Sequence, residues 1–511
     1  MSDLFDDYRL DAAWDEVFAA PDTPHDAARG MYDALSRLSA SDLADRSAAL
    51  SLVFRDQGIT FSLSGEERPF PLDLVPRLIA AEEWRLVERG VVQRVLALEA
   101  LLADLADGQH VLNDGILPRR LVVSSAAYTR AAHGIKPANG VRIHVSGIDV
   151  VRDGAGVLRV LEDNLRTPSG VSYVLENRRA MSRVLPDLLS THHVRPVAEY
   201  PSRLLAALRA AAPAGVDDPT VVVLTPGVYN STYFEHSLLA RTMGVQLVEG
   251  RDLECRDGAL WMRTTAGRQR VDVLYRRIDD EFLDPLHFRA DSIVGCPGVL
   301  NVARAGRVAI ANAVGNGVAD DKLLYTYVPE LIRYYLGEEP VLPNVDTFRL
   351  EDPDALDYVL DRLAELVLKP VDGSGGKGIV IGPQATDEEL ARLAEAVRGD
   401  PRGWIAQRVV ALSTCPTQVG DRLAPRHVDL RPFAVNDGER VWVLPGGLTR
   451  VALPEGCLVV NSSQGGGSKD TWVLAEQAIP AEQVVEARAG QPPLAGGGLP
   501  QAAGPDYQDQ Q

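Results

Sequence analysis

The stretch from Leu366 to Gly382, LVLKPVDGSGGKGIVIG, combines two lysines with a run of glycines between two short apolar segments. The apolar residues before Lys369 and after Gly378 predict two strands, so the glycine-rich segment would form the tip of a hairpin. Glycines allow backbone N–H groups to approach phosphate oxygens, because no Cβ stands in the way. The hairpin is therefore predicted to lie over an anion, and a flexible surface hairpin is the alternative.

Three nucleotide-binding motifs compete for this segment, and the residues after the glycines separate them. A P-loop needs Gly-Lys-Ser/Thr at the start of a helix, but Lys377 is followed by Gly378 and a predicted strand. The glycine spacing also fits a dinucleotide fingerprint, which again requires a helix. The kinase glycine loop does lie between strands, but its phosphate lysine comes after the loop, whereas Lys369 precedes it. A lysine at a strand end before a glycine-rich tip is the order found in ATP-grasp enzymes.

A second segment, VRIHVSGIDVVRDGAGVLRVLEDN, places acidic and amide side chains on two predicted strands, 141–152 and 157–164. Glu162 and Asn164 are two residues apart on one strand and therefore point to the same face. Asp149 lies on the other strand. Oxygen ligands of these types suit Mg²⁺ that is held together with substrate phosphates. A solvated acidic hairpin is the alternative.

Whether the two strands share one acidic face depends on the turn between them. If the turn centres on Gly154–Ala155, Asp149 faces Val160 across the hairpin. Directly opposed residues share a face, so Asp149 would then join Glu162, and Arg166 would extend the same face. A change of one residue in the loop length would break this parity.

Other charged or polar residues lie at the ends of predicted elements later in the chain. Residues 219–320 alternate strands and helices, and the strand that ends at Tyr275 is followed by Arg276 and an acidic pair. Open α/β sheets place their ligands at the carboxyl ends of strands, although a surface ion-pair cluster fits this pattern equally well. Lys322 begins a predicted helix, and Gln407 lies on a predicted strand.

The two ends of the chain contrast with this central part. Residues 1–110 are predicted to be helical, and the segment 74–106 shows apolar residues at helical spacing around Gly90. The last residues, 476–511, are rich in Ala, Gly, Pro and Gln and are predicted to be disordered. No internal repeat is found.

Composition limits the class of protein. Of 511 residues, 46% are hydrophobic and 24% are charged, which is ordinary for a globular protein with ample material for a core. The formal net charge of −19 argues against a broad nucleic-acid surface. The start of the sequence is acidic and lacks the apolar run of a secretory signal, and no run is long enough for a membrane helix. The four cysteines are widely spaced, so reduced thiols in a cytoplasmic protein are expected rather than a zinc site.

Taken together, these motifs resemble the circularly permuted ATP-grasp type 2 family, which is similar to the synthetase domain of glutathionylspermidine synthase. The resemblance covers roughly residues 70–475 and includes EEWRLVERGVVQR, GIDVVRD, VLEDNLRTPSG, YRRIDD, GNGVADDK, LKPVDGSGGKG, HVDLRPF, GGLTRVAL and VNSSQGGGSKDTWVL. In ordinary ATP-grasp chains a Glu-x-Asn pair comes after the lysine and glycines. Here Glu162 and Asn164 precede Lys369, as the permuted group would have it.

The resemblance implies an α/β (α+β ATP-grasp) fold that is circularly permuted, with an N-terminal helical region and a Rossmann-like pre-ATP-grasp unit. The implied parts are residues 1–110, helical; 111–218, the first part of the ATP-grasp fold with the metal-binding hairpin; 219–320, the Rossmann-like unit; 321–475, the nucleotide-binding part; and the tail 476–511.

The family's functional positions fall on residues of this sequence one by one. They are Asp149, Glu162 and Asn164 as Mg²⁺ ligands; Lys322 and Lys369 as phosphate-contacting lysines; Gly375, Gly376 and Lys377 as the lid over the phosphates; and Gln407 beside the adenine. One departure is Gly147, which stands where glutathionylspermidine synthases carry an arginine two residues before the metal aspartate. No Cys/His constellation precedes the ligase region, so glutathione and spermidine are not predicted as substrates.

The resemblance thus implies an ATP-dependent carboxylate–amine ligase that uses ATP and Mg²⁺ and forms an acylphosphate. An arginine would stabilise the oxyanion, and the candidates are Arg166, Arg276 and Arg431. The expected partners are small-molecule or peptide carboxylates and amines, with no nucleic acid and no membrane. An ATP phosphotransferase without ligation and a non-catalytic nucleotide-binding protein are the alternatives.

Overall fold

The computed structural model describes residues 4–63, 66–373, 378–458, 460 and 466–476. The predicted glycine lid, Gly375, Gly376 and Lys377, and the predicted disordered tail from residue 477 onward lie outside the described residues. Met1–Leu474 belong to one compact unit. The predicted boundaries between the four parts of that unit stay a prediction.

The α-helices, numbered in chain order, are α1 Arg29–Leu35, α2 Ala40–Asp56, α3 Ala81–Ala106, α4 His110–Asn113, α5 Arg119–Val123, α6 Val171–Val184, α7 Pro186–Thr191, α8 Tyr200–Ala210, α9 Tyr233–Met243, α10 Asp280–Leu283, α11 Val299–Arg304, α12 Lys322–Tyr325, α13 Val328–Leu336, α14 Pro353–Leu360 and α15 Asp387–Gly399. None of the described helices is both long and apolar enough to cross a membrane.

The strands are β1 Phe18–Ala20, β2 Thr23–Pro24, β3 Thr60–Leu63, β4 Glu66–Pro69, β5 Leu72–Ile79, β6 Val145–Arg152, β7 Leu158–Asn164, β8 Val221–Leu224, β9 Gln246–Val248, β10 Leu253–Arg256, β11 Ala259–Thr264, β12 Gly267–Val271, β13 Val273–Arg276, β14 Ala309–Ala311, β15 Thr347–Arg349, β16 Leu366–Pro370, β17 Val380–Ile381, β18 Trp404–Arg408, β19 Thr414–Val419, β20 Arg422–Asn436, β21 Val441–Val451 and β22 Gly467–Val473. Mixed helix and sheet confirm the predicted α/β class.

The largest sheet carries the acidic hairpin. Its strands run in the order β5-β22-β21-β20-β6-β7, and β19 pairs with β20. Neighbours are antiparallel except for β5 and β22. Helices α3 and α13 share one apolar core cluster with this sheet, and α6 and α8 share another. β6 is buried along its whole length and is therefore held in a close-packed interior, whereas β7 alternates buried and partly buried residues.

Two smaller sheets flank this centre. The first has the order β14-β13-β8-β9, and every pair is parallel, which confirms a Rossmann-like α/β unit within residues 219–320. The second has the order β15-β18-β16-β17 and contains Lys369 on β16 and Gln407 on β18. The predicted hairpin around the glycines is present as the antiparallel pair of β16 and β17.

The N-terminal region differs from the prediction. The sequence predicts helix throughout residues 1–110, with one helical segment over 74–106, but β5 occupies Leu72–Ile79 and pairs with β22. The apolar run LDLVPRLI fits a buried strand as well as a helix, and its long-range partner decides between them. Helix α3 continues unbroken through Gly90, where a Cβ would lie 2.3 Å from Leu342 Cγ. Gly90 therefore permits close packing instead of dividing the helix.

Candidate active site

A cavity of about 130 Å³ lies between the largest sheet and the sheet that carries Lys369; we call it the first cavity. Its polar and charged lining residues are Asp149, Glu162, Lys322, Lys369, Gln407, Arg408, Asp429 and Arg450. The structure thus brings together five predicted site residues that span more than half of the chain. The predicted cleft shared by Glu162 and Lys369 is present.

The hairpin of β6 and β7 reaches the predicted arrangement by another route. Arg152 pairs with Leu158, so the turn is one residue longer than predicted, and this shift alone would send Asp149 and Glu162 to opposite faces. A bulge after Val160 adds one residue to β7, and Asp149 pairs with Glu162 instead of Val160. The second irregularity cancels the first, and both carboxylates face the first cavity.

Asp149 is wholly buried and engaged by two arginines from neighbouring strands. Arg431 donates from Nε and Nη2 to its two oxygens at 2.5 and 2.7 Å, and Arg450 donates at 2.7 Å. Burial opposes ionisation, but Arg431 and Arg450 outweigh it and hold the pKa of Asp149 well below its usual range. Arg450 also contacts Asp429, its cross-strand partner. Asp149 is therefore ionised and fixed in position.

Gly147 is the position at which this chain departs from the glutathionylspermidine synthases. A Cβ there would lie 3.2 Å from Arg431 Cδ and 3.0 Å from Pro168 Cβ. The stem of Arg431 thus crosses the strand directly over Gly147, where any larger side chain would begin. Glycine at this position lets an arginine from β20 reach Asp149.

The two predicted phosphate lysines both line the first cavity. Lys369 is buried, and its pKa is lowered to about 8, chiefly because burial penalises the charged form; Glu162 and Asp149 oppose the shift, and Lys322 adds to it. Lys322 Nζ lies 3.8 Å from Glu162 and donates to the carbonyl of Gly373. The first cavity is smaller than the roughly 300–1,000 Å³ usual for small-molecule sites.

The predicted metal ligands fit Mg²⁺ unequally. Glu162 is partly exposed to the first cavity, and the Nδ2 atom of Asn164 is buried without a partner among the described residues. Asn164 lies two residues from Glu162 on β7 but is not among the residues that line the first cavity. Asp149 already accepts from two guanidinium groups. Of the three, Glu162 lines the first cavity without an arginine partner among the described residues and therefore suits a hard cation best, and Asp149 contributes mainly by orienting arginines.

The sequence matches the model of the family described as circularly permuted ATP-grasp type 2 over residues 76–452. The chain belongs to this family. That membership supports ATP-dependent ligase chemistry in general terms and agrees with the permuted order of Glu162 and Lys369 around one cavity.

Relatives from several bacteria cover most of this family member. An uncharacterised protein of Mycobacterium tuberculosis is 63% identical over 469 residues, which are 92% of this chain and 85% of the relative. A Synechocystis protein is 53% identical over 90% of this chain and 97% of its own. A provisionally named glutamate–cysteine ligase of Frankia casuarinae is 46% identical over 90% of this chain, but only 53% of its own length is matched.

A solved structure shares the fold. The apo form of a glutathione synthetase-like effector from Globodera pallida aligns with a TM-score of 0.56 and 12% identity, over 86% of this chain and 98% of the effector. At that level of identity the likeness concerns the fold alone.

The three candidate arginines occupy different environments in this ATP-grasp chain. Arg276 is fully buried, donates to three backbone carbonyls and pairs with Asp280 at 2.7 Å, so its guanidinium is occupied by the fold. Arg166 pairs with Asp320 at 2.7 Å and with Asp279 at 3.6 Å. Arg431 alone of the three pairs with a residue that lines the first cavity. The geometry favours Arg431.

Sequence reasoning left two charged residues of the site without a role. Asp429 and Arg450 pair across β20 and β21, and both line the first cavity. Asp429 and Arg431 are two residues apart on β20 and therefore lie on one face of that strand. Their partners lie on other strands and could not be identified from spacing.

Gln407 lines the first cavity as predicted, and its amide nitrogen donates to Thr347 Oγ1 at 3.0 Å. The nitrogen end of the Gln407 amide is therefore held by Thr347. The carbonyl oxygen does not bond to Thr347 and is available to a ligand. Gln407 is 2% exposed, and its place on β18 opposite Val367 fixes it in the wall.

A second cavity of about 510 Å³ lies in the Rossmann-like unit. Its lining residues include Thr167, Ser169, Asn230, Thr232, His236, Arg277, Asp279, Arg289, Ser292 and Ile293. The carbonyl of Ser169 accepts from Arg431 at 3.2 Å. Arg431 therefore stands between the two cavities, with Asp149 on one side and Ser169 on the other.

Proposed function

We propose that this protein is an ATP-dependent carboxylate–amine ligase that works through an acylphosphate. The observation that carries the proposal is the convergence of two lysines, Lys322 and Lys369, and the partly exposed carboxylate of Glu162 on one cavity of an ATP-grasp fold. The provisional name of the Frankia relatives also describes a ligase.

In the proposed complex the triphosphate lies along Lys322 and Lys369. Both ammonium groups neutralise phosphate charge, and Lys322 exchanges the Gly373 carbonyl for a phosphate oxygen. Mg²⁺ would be held by Glu162 and Asn164 and would neutralise phosphate charge when bound. Gln407 would accept a hydrogen bond from the adenine edge with its free carbonyl oxygen.

The reaction would proceed in two displacements. A carboxylate oxygen attacks the γ-phosphorus, the bond to the β–γ bridging oxygen breaks, and ADP leaves. The amine nitrogen then attacks the acyl carbon, the bond to the phosphate oxygen breaks, and inorganic phosphate leaves as the nitrogen loses a proton. Neither step needs a covalent protein nucleophile, so the protein contributes positioning and charge neutralisation.

Arg431 is the proposed oxyanion donor. It binds Asp149, which lines the first cavity, and the carbonyl of Ser169, which lines the second, and Asp149 holds its guanidinium by two hydrogen bonds, so the donor is oriented before the substrate binds. Donors that are prepositioned for developing charge are worth roughly 3–4 kcal/mol each in other enzymes. Arg450 would stabilise the same region by holding Asp149.

An isotope experiment tests the proposal. The protein is incubated with ATP, Mg²⁺ and ¹⁸O-labelled carboxylates, beginning with glutamate, in the presence of pooled amines. We expect one ¹⁸O in the released phosphate and a new amide detected by mass spectrometry. Labelled phosphate without an amide for any amine would favour the phosphotransferase alternative. Absence of ADP formation with any acceptor, although ATP binds, would favour a non-catalytic nucleotide-binding protein.

A further inference from the structure

The second cavity occupies the position at which open α/β sheets bind ligands. In the sheet order β14-β13-β8-β9, the chain runs outward in opposite directions from β8 and β13. The cavity lies beyond the carboxyl ends of these two strands and is lined by Pro226 after β8 and by Arg277 after β13. Ligands of such sheets bind at this crevice.

The interior of the second cavity is polar and built from buried groups. Arg277 is 5% exposed, pairs with Glu235 at 2.9 Å and donates to the Pro168 carbonyl at 2.8 Å. Its Nε has no partner among the described residues. Burial, reinforced by Arg277, lowers the pKa of His236 well below its usual value, so the ring is neutral at physiological pH. The interior offers hydrogen bonds without a large net charge.

The loops that border the second cavity carry exposed apolar side chains, in contrast with its polar interior. Two loops that contribute lining residues, 226–232 and 284–294, carry the four most exposed large apolar side chains of the described residues; one of these lines the cavity, and the other three lie within three residues of a lining residue on the same loop. These are Tyr229, 98% exposed; Ile293, 89%; Leu286, 69%; and Val228, 62%. Single exposed apolar residues are ordinary, but concentration around one cavity marks a binding surface.

We propose that the second cavity binds a peptide substrate: its reactive end lies in the polar interior, and its apolar side chains pack on the exposed apolar side chains of the two bordering loops. These are Val228, Tyr229, Leu286 and Ile293, which we call the rim. This inference rests on the proposed function, for which it names the substrate class. A peptide offers backbone groups to the hydroxyl-lined interior and side chains to the rim. The cavity volume falls within the roughly 300–1,000 Å³ of small-molecule sites, large enough for more than one residue.

The charges around the mouth disfavour a membrane as the occupant. Arg289 is paired with Asp291 at 2.9 Å, and Asp279 and Glu281 add negative charge nearby. The whole chain carries a formal net charge of −19. An anionic bilayer would be repelled, because peripheral binding normally adds basic residues to an apolar surface.

The second cavity can also deliver a bound group to the first. Ser169 lines it and accepts from Arg431, which binds Asp149 of the first cavity. On the other side, Arg166 joins Asp279 of the second cavity to Asp320, next to the turn that carries Lys322. A carboxylate or amine at the end of a bound peptide would therefore lie beside the proposed oxyanion donor.

Binding of defined tripeptides tests this inference without depending on turnover. Triglycine and its three single-leucine variants are titrated into the full chain by calorimetry, in free, N-acetylated and C-amidated forms. We expect leucine to strengthen binding on the order of tenfold, as burial of one apolar side chain permits. The blocked forms identify which terminus enters the cavity.

A rim variant and a matched control complete the test. Tyr229→Ser/Ile293→Ser should abolish the leucine advantage and leave ATP binding unchanged. Leu52→Ser, which removes a 52% exposed side chain on α2, should leave every affinity unchanged. Equal binding of all tripeptides, or a leucine advantage that survives in the rim variant, would overturn the inference. A wild-type dimer that the rim variant converts to a monomer would identify a second copy as the occupant, and binding to anionic vesicles would identify a membrane.

The peptide inference and the proposed function can fail separately. Leucine-dependent peptide binding with no ADP formation would sink the ligase proposal and leave the cavity assignment in place. Amide formation from single amino acids with no preference for apolar peptides would support the ligase proposal and overturn the peptide assignment of the second cavity.

Discussion

Replacing Lys369 by methionine should make the protein more stable and less able to bind ATP. Lys369 is buried, and its pKa falls to about 8 chiefly because burial penalises the charged form. Relative to a free lysine near 10.5, that shift corresponds to about 3 kcal/mol of unfavourable free energy at neutral pH, at about 1.4 kcal/mol per pKa unit. Methionine has a similar length and no charge, so Lys369→Met should recover up to that amount.

The pH dependence has the same origin. Between about pH 8 and 10.5 the unfolded chain binds more protons at this residue than the folded chain, so the stability of the wild type rises with pH in that window. Below pH 8 the destabilisation is present in full. The difference in unfolding free energy between Lys369→Met and wild type should therefore be largest at pH 7 and shrink toward pH 10. Urea unfolding of both proteins at pH 7 and pH 9.5 measures it.

Lys469→Met is the matched control. Lys469 is equally buried, but it pairs with Asp73 and donates to the carbonyls of Val75 and Pro416. Its removal leaves a buried carboxylate without its cation, which costs about 3–5 kcal/mol. Two Lys→Met substitutions at buried sites should thus shift stability in opposite directions. If both destabilise the protein, Lys369 is not an uncompensated charge.

Nucleotide binding should change in the opposite sense to stability. Loss of one charge-assisted phosphate contact costs about 1.5–3 kcal/mol, so Lys369→Met should raise the Kd for Mg-ATP about 10- to 150-fold. Phosphate beside Lys369 also raises its pKa, so the wild type should take up protons when ATP binds near pH 8.5. Calorimetry in two buffers of different ionisation enthalpy measures this uptake. Unchanged affinity in a folded Lys369→Met variant would refute the phosphate assignment.

Two further substitutions test the metal and the arginine. Glu162→Gln removes one charge from a hard-cation site, so it should abolish most turnover and leave ADP binding without metal intact. Turnover across a Mg²⁺ titration and ADP calorimetry measure the two effects. Wild-type turnover of the variant at low Mg²⁺ would contradict the assignment. Gly147→Ala places a Cβ 3.0 Å from Pro168 and 3.2 Å from the Arg431 stem, so it should cost about 1–3 kcal/mol of stability and lower kcat with little change in ATP affinity. Ser146→Ala on the same strand is its control, and equal kinetics in the two variants would show that Arg431 is not displaced.

The sequence predicted the local elements of the candidate site better than the pairing between them. Glycines between two strands and a lysine at a strand end are local signals, and they identified the hairpin that carries Lys369 correctly. The face shared by Asp149 and Glu162 was also predicted, but from a turn that is one residue too short. The bulge that restores the parity depends on β7 and its outer neighbour, since Val160 bonds with Pro343 and Val345. The segment 343–345 lies far from the hairpin in sequence, and the residues of the hairpin do not indicate that it will pair there.

The other structural features that the sequence did not predict have the same cause. Leu72–Ile79 forms a strand because it pairs in parallel with β22, almost four hundred residues later in the chain. Arg431 reaches Asp149 because β20 lies beside β6 and because Gly147 leaves room for its stem. Each feature depends on which strands become neighbours, and residue spacing along one strand carries no information about that.

The charges of the first cavity explain why these distant contacts matter together. Four basic and three acidic side chains line it, within a chain whose net charge is −19, so an anion finds a locally positive cavity in an acidic protein. The acids are unequal: Asp149 and Asp429 are held by arginines, whereas Lys369 is buried with no ion pair of its own among the described residues. The excess charge therefore resides on the lysines. The buried charge of Lys369 destabilises the protein without nucleotide, and a bound phosphate would stabilise that charge. Removal of the charge in Lys369→Met should therefore raise the stability of the protein and lower its affinity for ATP.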